Sequence, residues 1–230
     1  MNSYAYITEN LNEVRHALPE HVTLVAVSKT HPPEAIQTAY DAGQRIFGEN
    51  KVQELVAKHE VLPRDIEWHL IGHLQTNKMK YIADFVSFIH AVDSEKLLDE
   101  INKRAAKAER VIDVLLQVHI AEEDSKFGFD DAELTAFVSG TGIALHTHAR
   151  IRGLMGMATF TDDREQVRRE FKHLKRLFDQ LKTSVFVTAN HFDTLSMGMS
   201  GDFDLAIEEG STMVRIGSTL FGARNYGTNG

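Results

Sequence analysis

The 230-residue chain has no cysteine. That absence excludes a disulfide framework, a thiolate metal site and a cysteine nucleophile, and it fits a reducing compartment. No apolar run approaches the roughly 20 residues that span a bilayer. The start, Met1-Asn2-Ser3-Tyr4-Ala5-Tyr6, lacks the basic and apolar regions of a secretory leader. Positive charge is in deficit, with 25 Lys and Arg against 33 Asp and Glu, a formal net charge of −8. This argues against a general nucleic-acid surface. Linkers, low-complexity tracts and repeats are missing too. A single domain over 1–230 is therefore expected, soluble and cytoplasmic, with no membrane or nucleic-acid partner. The 43% hydrophobic and 25% charged content is that of an ordinary globular protein with ample chain for a core.

What is present is an alternation of short apolar runs with amphipathic segments. Strands are expected over 23–28, 45–47, 67–71, 86–89, 111–118, 151–155, 195–198 and 213–216. Helical patterns fall between them. One covers 33–43, stopped by Gly43, and another 94–109, with Asp93 or Ser94 as cap. The longest, 162–182, places Val167, Phe171, Leu174, Phe178 and Leu181 on one stripe, and short helices are expected over 202–209 and near 219–223. Strand–helix alternation means a parallel sheet covered on both faces. Eight such units suit an α/β fold of the (β/α)₈ TIM barrel type, with an open doubly wound sheet as the competitor. In a barrel the chemistry lies at the C-terminal ends of the strands.

Lys29 stands at one of those ends, after the apolar run Thr23-Leu24-Val25-Ala26-Val27-Ser28. A lysine partly buried there can become an amine nucleophile of the kind that condenses with aldehydes, although a lysine snorkelling to solvent is the plainer reading of this segment alone. Late in the chain, Ser196-Met197-Gly198-Met199-Ser200-Gly201 and Arg215-Ile216-Gly217-Ser218-Thr219 each end a strand in glycine and a small hydroxyl residue before a helix. Such a pattern forms an anion site, and barrels often bind phosphate after strands seven and eight. A third glycine segment, Gly153-Leu154-Met155-Gly156-Met157, follows the sixth.

Other chemistries lack their residues. No P-loop, HExxH or GxSxG motif occurs. His69 and His73 are too far apart along a strand for one ion, and no spacing completes a site around His146 and His148. The basic runs at 103–110 and 168–176 alternate with acids and read as solvated helix faces.

Several segments carry a family resemblance. They are Ala26-Val27-Ser28-Lys29, Phe47-Gly48-Glu49-Asn50, Trp68-His69-Leu70-Ile71-Gly72-His73-Leu74-Gln75-Thr76-Asn77-Lys78, Arg152-Gly153-Leu154-Met155, Leu195-Ser196-Met197-Gly198-Met199-Ser200 and Arg215-Ile216-Gly217-Ser218-Thr219-Leu220-Phe221-Gly222. In this order, over nearly the whole chain, the set resembles the pyridoxal-phosphate homeostasis proteins (YggS/PROSC type), single-barrel relatives of the alanine racemase amino-terminal domain. One departure is His119, where many members carry asparagine; Glu123, Lys126 and Gly128 still fit the pattern.

The resemblance implies a fold-type III barrel with pyridoxal 5′-phosphate (PLP) held as a Schiff base on Lys29. It implies phosphate at Met199, Ser200, Gly217 and Ser218, Arg215 facing the pyridine nitrogen and Asn50 near the ring. It also implies PLP storage or delivery without robust turnover, with PLP-dependent apo-enzymes as candidate partners. The alternative is a PLP-dependent amino-acid racemase. That activity would require a second base and a C-terminal β domain. Only Asn225-Tyr226-Gly227-Thr228-Asn229-Gly230 follow Arg224, so a barrel without that domain, and a monomer, are expected. A barrel with no ligand would leave Lys29 and the glycine loops to coincidence.

Overall fold

The computed structural model describes residues 4–122, 127–140, 143 and 145–222. Its strands are β1 (Thr23–Val27), β2 (Ile46–Glu49), β3 (Glu67–Leu70), β4 (Phe88–Val92), β5 (Ile112–Gln117), β6 (Ala149–Met155), β7 (Thr194–Met199) and β8 (Met213–Ile216). All neighbours pair in parallel, and β8 returns to β1, closing the barrel. The expected fold is therefore the observed one, and the open-sheet competitor is excluded.

The helices are α1 (Ala5–Ala17), α2 (Pro33–Asp41), α3 (Val52–Val61), α4 (Glu95–Lys107), α5 (Asp131–Ser139), α6 (Arg164–Thr183), α7 (Phe203–Glu208) and α8 (Ser218–Phe221). Between β3 and β4 the crossover is a 3₁₀ segment, Thr76–Tyr81. Capping follows local chemistry. Ser94 accepts the Leu97 N–H at the start of α4, Asp130 and Glu133 form a reciprocal capping box on α5, and Asp163 caps α6.

Three helices had no counterpart in the sequence reading: α1, α3 and α5. α1 carries Ile7, Leu11 and Val14 at helical spacing, all buried. It packs against α8, where Tyr6 Oη donates to the Phe221 carbonyl (2.7 Å) and Asn10 Nδ2 to that of Leu220 (3.1 Å).

Two apolar layers result. The larger packs the outer faces of the strands against the helices; a smaller cluster of Val25, Phe88, Ala91, Leu115, Met155 and Met213 draws on five strands. Val25 belongs to the inner set while Leu24 and Ala26 belong to the outer, the alternation expected of a strand with two buried faces.

Gly153 and Gly198 have structural roles, although the segment of Gly198 was read as part of an anion site. Gly153 lies within β6 at φ +154°, and a Cβ there would sit 1.8 Å from the Thr194 carbonyl oxygen. Gly198, at φ +97°, admits α7, since its Cβ would come within 2.6 Å of the Ala206 Cβ. Gly153→Ala is expected to lower the unfolding free energy by at least about 2 kcal/mol, combining backbone strain with overpacking against a main-chain atom. Urea denaturation at unchanged m-value reads this; a shift below about 0.5 kcal/mol would show that β6 and β7 can separate without loss.

Candidate functional site

One cavity of about 750 Å³ opens where the C-terminal ends of the strands meet. Lys29, Asn50, Met199, Ser200, Arg215, Gly217 and Ser218 all line it, so residues from four strand ends converge as the sequence suggested. Lys29 is half-buried on the turn after β1, where Thr30 adopts φ +67°. Asn50 directly follows β2, and Gly72 lies against its backbone so closely that a Cβ would fall 2.4 Å from the Asn50 carbonyl oxygen.

Arg215 dominates the electrostatics. It is 4% exposed, on β8, and forms no ion pair with a carboxylate among the described residues. Neutral acceptors hold it instead. Nη1 donates to the Ser196 carbonyl (2.9 Å) and to Ser196 Oγ (2.6 Å), and Nη2 donates to the Gly156 carbonyl (3.0 Å). Burial draws its pKa down to about 10, while the charge of Asp202 acts in the opposite direction. Even so it is protonated at neutral pH. A buried cation with donors to spare beside a cavity calls for an acceptor or anion in that cavity.

Behind Arg215 runs a chain of neutral groups, Ser196 Oγ to His90 Nδ1 (3.4 Å) and His90 Nε2 to His69 Nδ1 (3.0 Å). Arginine can only donate, so Ser196 Oγ accepts from Arg215, and the direction of its contact with His90 Nδ1 follows the imidazole tautomer. One nitrogen of the His90 Nε2–His69 Nδ1 pair carries the proton and the other accepts it. Burial holds both rings neutral, with His69 down at about 3 and His90 well below its ordinary value, pushed further by His69 and Arg215. His69 thus belongs to this chain, and among the described residues no cluster of three or more acids or histidines could hold a metal.

The loops after β7 and β8 meet at Ser200. Its Oγ accepts the N–H of Gly217 (3.2 Å) and of Thr219 (3.5 Å), so these two donors converge on one point. The Met199 N–H is committed to Asp202 Oδ1 (2.6 Å), which makes Met199 a lining residue rather than a backbone donor to a ligand. Burial raises the Asp202 pKa, and that N–H and Arg215 oppose it.

The sequence reading had not assigned the cavity residues His31, His73, Gln117, Phe127, Met157, Phe160 and Asp202. His31 stacks on Phe221 (5.0 Å) and His73 bonds Asp93 (3.0 Å). The position of His31 next to Lys29 and of His73 just beyond β3 is the signal that could have found them. Gly128, at φ +112°, packs on the backbone of residues 117–119, whereas Glu123 and Lys126 lie outside the described residues.

The family model "Alanine racemase, N-terminal domain" matches residues 3–225. The alanine racemase of Bartonella henselae, at 19% identity, superposes with a TM-score of 0.73 over 97% of this chain and 60% of that one, a likeness of fold. Fold and site thus define a barrel of the alanine racemase amino-terminal class. Within it, the pyridoxal phosphate homeostasis protein of Aquifex aeolicus (strain VF5) is 45% identical over 204 residues, 88% of this chain and 87% of its own. PipY of Synechococcus elongatus PCC7942, solved with PLP bound, shares 38% identity and a TM-score of 0.85 over 94% of this chain and all of its own. The chain belongs to the family of pyridoxal phosphate homeostasis proteins.

The two buried imidazoles make stability pH-dependent. Their folded pKa values lie below the unfolded value near 6.5. The unfolded chain therefore binds more protons, and stability is present above that value and lost as pH falls below it. His69, down at about 3, contributes a slope of up to about 1.4 kcal/mol per pH unit between about pH 6 and pH 4, and His90 acts in the same direction. His69→Met is expected to flatten the fall in unfolding free energy by about one such slope. Parallel curves for the variant and the wild type would mean that the ring already titrates within the fold.

Proposed function

We propose that this protein binds pyridoxal 5′-phosphate in the strand-end cavity and stores or delivers it within the cell, without running it as a fast catalyst. The observation that carries the reading is Arg215, a buried guanidinium without a carboxylate partner among the described residues, lining the same cavity as Lys29. The volume of about 750 Å³ lies within the usual range for small-ligand sites. PipY, at 38% identity, has been solved with this cofactor.

When bound, the cofactor supplies an aldehyde and a pyridine ring able to act as an electron sink. Lys29 would supply the amine for that aldehyde. Arg215 would donate to the ring nitrogen and, being only a donor, would favour its unprotonated form, the poorer electron sink. Asn50, which lines the cavity, would flank the ring. Ser200, Gly217 and Ser218 would hold the phosphate, through hydroxyls and through the N–H groups that converge on Ser200 Oγ, each charge-assisted bond contributing about 1.5–3 kcal/mol. Met199 closes one wall. We read residues 1–230 as one domain, working in the cytoplasm as a monomer and passing cofactor to PLP-dependent apo-enzymes.

Borohydride reduction after loading with the cofactor, followed by peptide mapping, is expected to place the pyridoxyl group on Lys29. Label on Lys78 or Lys126 instead would overturn the assignment. Pyridoxal without its phosphate is expected to label far more weakly at equal concentration, and equal labelling would take the phosphate away from the Ser200 and Gly217 loops.

Turnover is the second test. A racemase needs an acid/base group on each face of the α-carbon, each within about 2.6–3.2 Å of the proton, and Lys29 serves one face. Holo-protein with L-alanine in D₂O is expected to exchange the α-proton slowly or not at all. Racemisation at an ordinary enzymatic rate, about 1–10³ s⁻¹, would promote the racemase and sink the storage reading.

A further inference from the structure

Lys58, on α3, is 4% exposed and does not line the cavity. All three of its ammonium N–H groups are used: it donates to the Ser28 carbonyl (2.8 Å), to Glu49 Oε1 (2.7 Å) and to Glu54 Oε1 (2.7 Å). Both carboxylate oxygens also accept a bond from the turn after β1. Glu49 Oε1 accepts the Ser28 hydroxyl (2.6 Å), and Glu54 Oε1 accepts the Thr30 N–H (2.6 Å). The residues immediately before and after Lys29 are thus tied to one buried ammonium.

The arrangement is a poor device for stability alone. Two carboxylates share one cation, and Glu49 Oε2 is buried with no hydrogen-bond partner. Burial raises the Glu49 pKa to about 7 against the pull of Lys58 and Ser28. Apolar side chains of similar shape would hold α3 to the barrel without desolvating three charges. What they could not do is grip a polar turn at three points. That turn includes Thr30 at φ +67°, a conformation a β-branched residue adopts only when its surroundings impose it.

We propose that Lys58, with Glu49 and Glu54, is a positioning residue for Lys29: the buried ammonium clamps Ser28 and Thr30 and so sets where the Lys29 amine meets an aldehyde in the cavity. The inference rests on the cofactor reading above. In the reaction served, a carbon–nitrogen double bond forms between Lys29 Nζ and the aldehyde carbon, and the aldehyde oxygen leaves as water. Lys58 itself touches neither partner.

The test compares two ligands on the full chain: pyridoxal 5′-phosphate, and 4-deoxypyridoxine 5′-phosphate, which keeps ring and phosphate but has no aldehyde. For Lys58→Met, the affinity for the aldehyde ligand and the borohydride labelling of Lys29 are expected to fall about tenfold or more, as misplacement of a reacting group does. Affinity for the deoxy ligand is expected to stay within about twofold. Equal loss for both ligands assigns Lys58 a merely structural role and overturns the clamp, as does no loss for either. If Lys58→Met does not fold, Glu54→Ala releases only the Thr30 end and is judged by the same split, with a loss of about threefold or more for the aldehyde ligand alone. A wild-type protein that binds neither ligand fails the cofactor reading, and the clamp falls with it. Binding of both by the wild type with no split in either variant sinks the clamp alone.

Discussion

The pairing of β8 with β1 is the constraint on which the rest of the molecule depends. In that ladder Val25 stands opposite Arg215 and Ala26 opposite Ile216. This register places the turn that bears Lys29 and the Gly217–Ser218 loop on the same rim, although they lie almost a full chain length apart. A parallel pair between first and last strands cannot form locally; it needs every intervening strand in place. α1 reinforces the closure from outside, because its Tyr6 and Asn10 bond the carbonyls that end α8.

Inside that closed sheet the protein tolerates an expensive set of polar groups. Arg215, Ser196, His90 and His69 are all at least nine-tenths buried, and the Ser28–Glu49–Lys58 cluster is sealed beneath the Lys29 turn. Both groups follow one rule: a permanent donor with no freedom to accept dictates the orientation of everything it touches. Arg215 fixes the Ser196 hydroxyl it donates to, and Lys58 orders two carboxylates and a turn. Such networks hold one geometry because any rearrangement would leave a buried group unsatisfied.

The β/α alternation was legible because both faces of each strand are buried, which leaves near-continuous apolar runs. Boundaries shifted where packing outweighed pattern. The strand expected over 45–47 runs Ile46–Glu49, since Gly48 lets the chain pass close to Val25 and Ile71. The one expected over 86–89 moves to Phe88–Val92, taking in His90 and Ala91, which face the interior. α3 was obscured because its Lys58 is buried, so its buried face does not read as an apolar stripe. All seven residues proposed for the site line one cavity, since strand ends in a barrel converge whatever their separation in sequence.

By itself, then, the sequence determined the alternating architecture, a lysine at one strand end and glycine–hydroxyl pairs at two others. Those follow from local hydrophobic period and from residues whose backbone needs are special. Only the tertiary structure decided what the polar residues do. Glu49, Lys58, His69, His90 and Ser196 are ordinary letters in the chain, with nothing in their spacing to join them. They become a clamp and a hydrogen-bonded chain because burial removes water and leaves these groups to pair with one another across the fold.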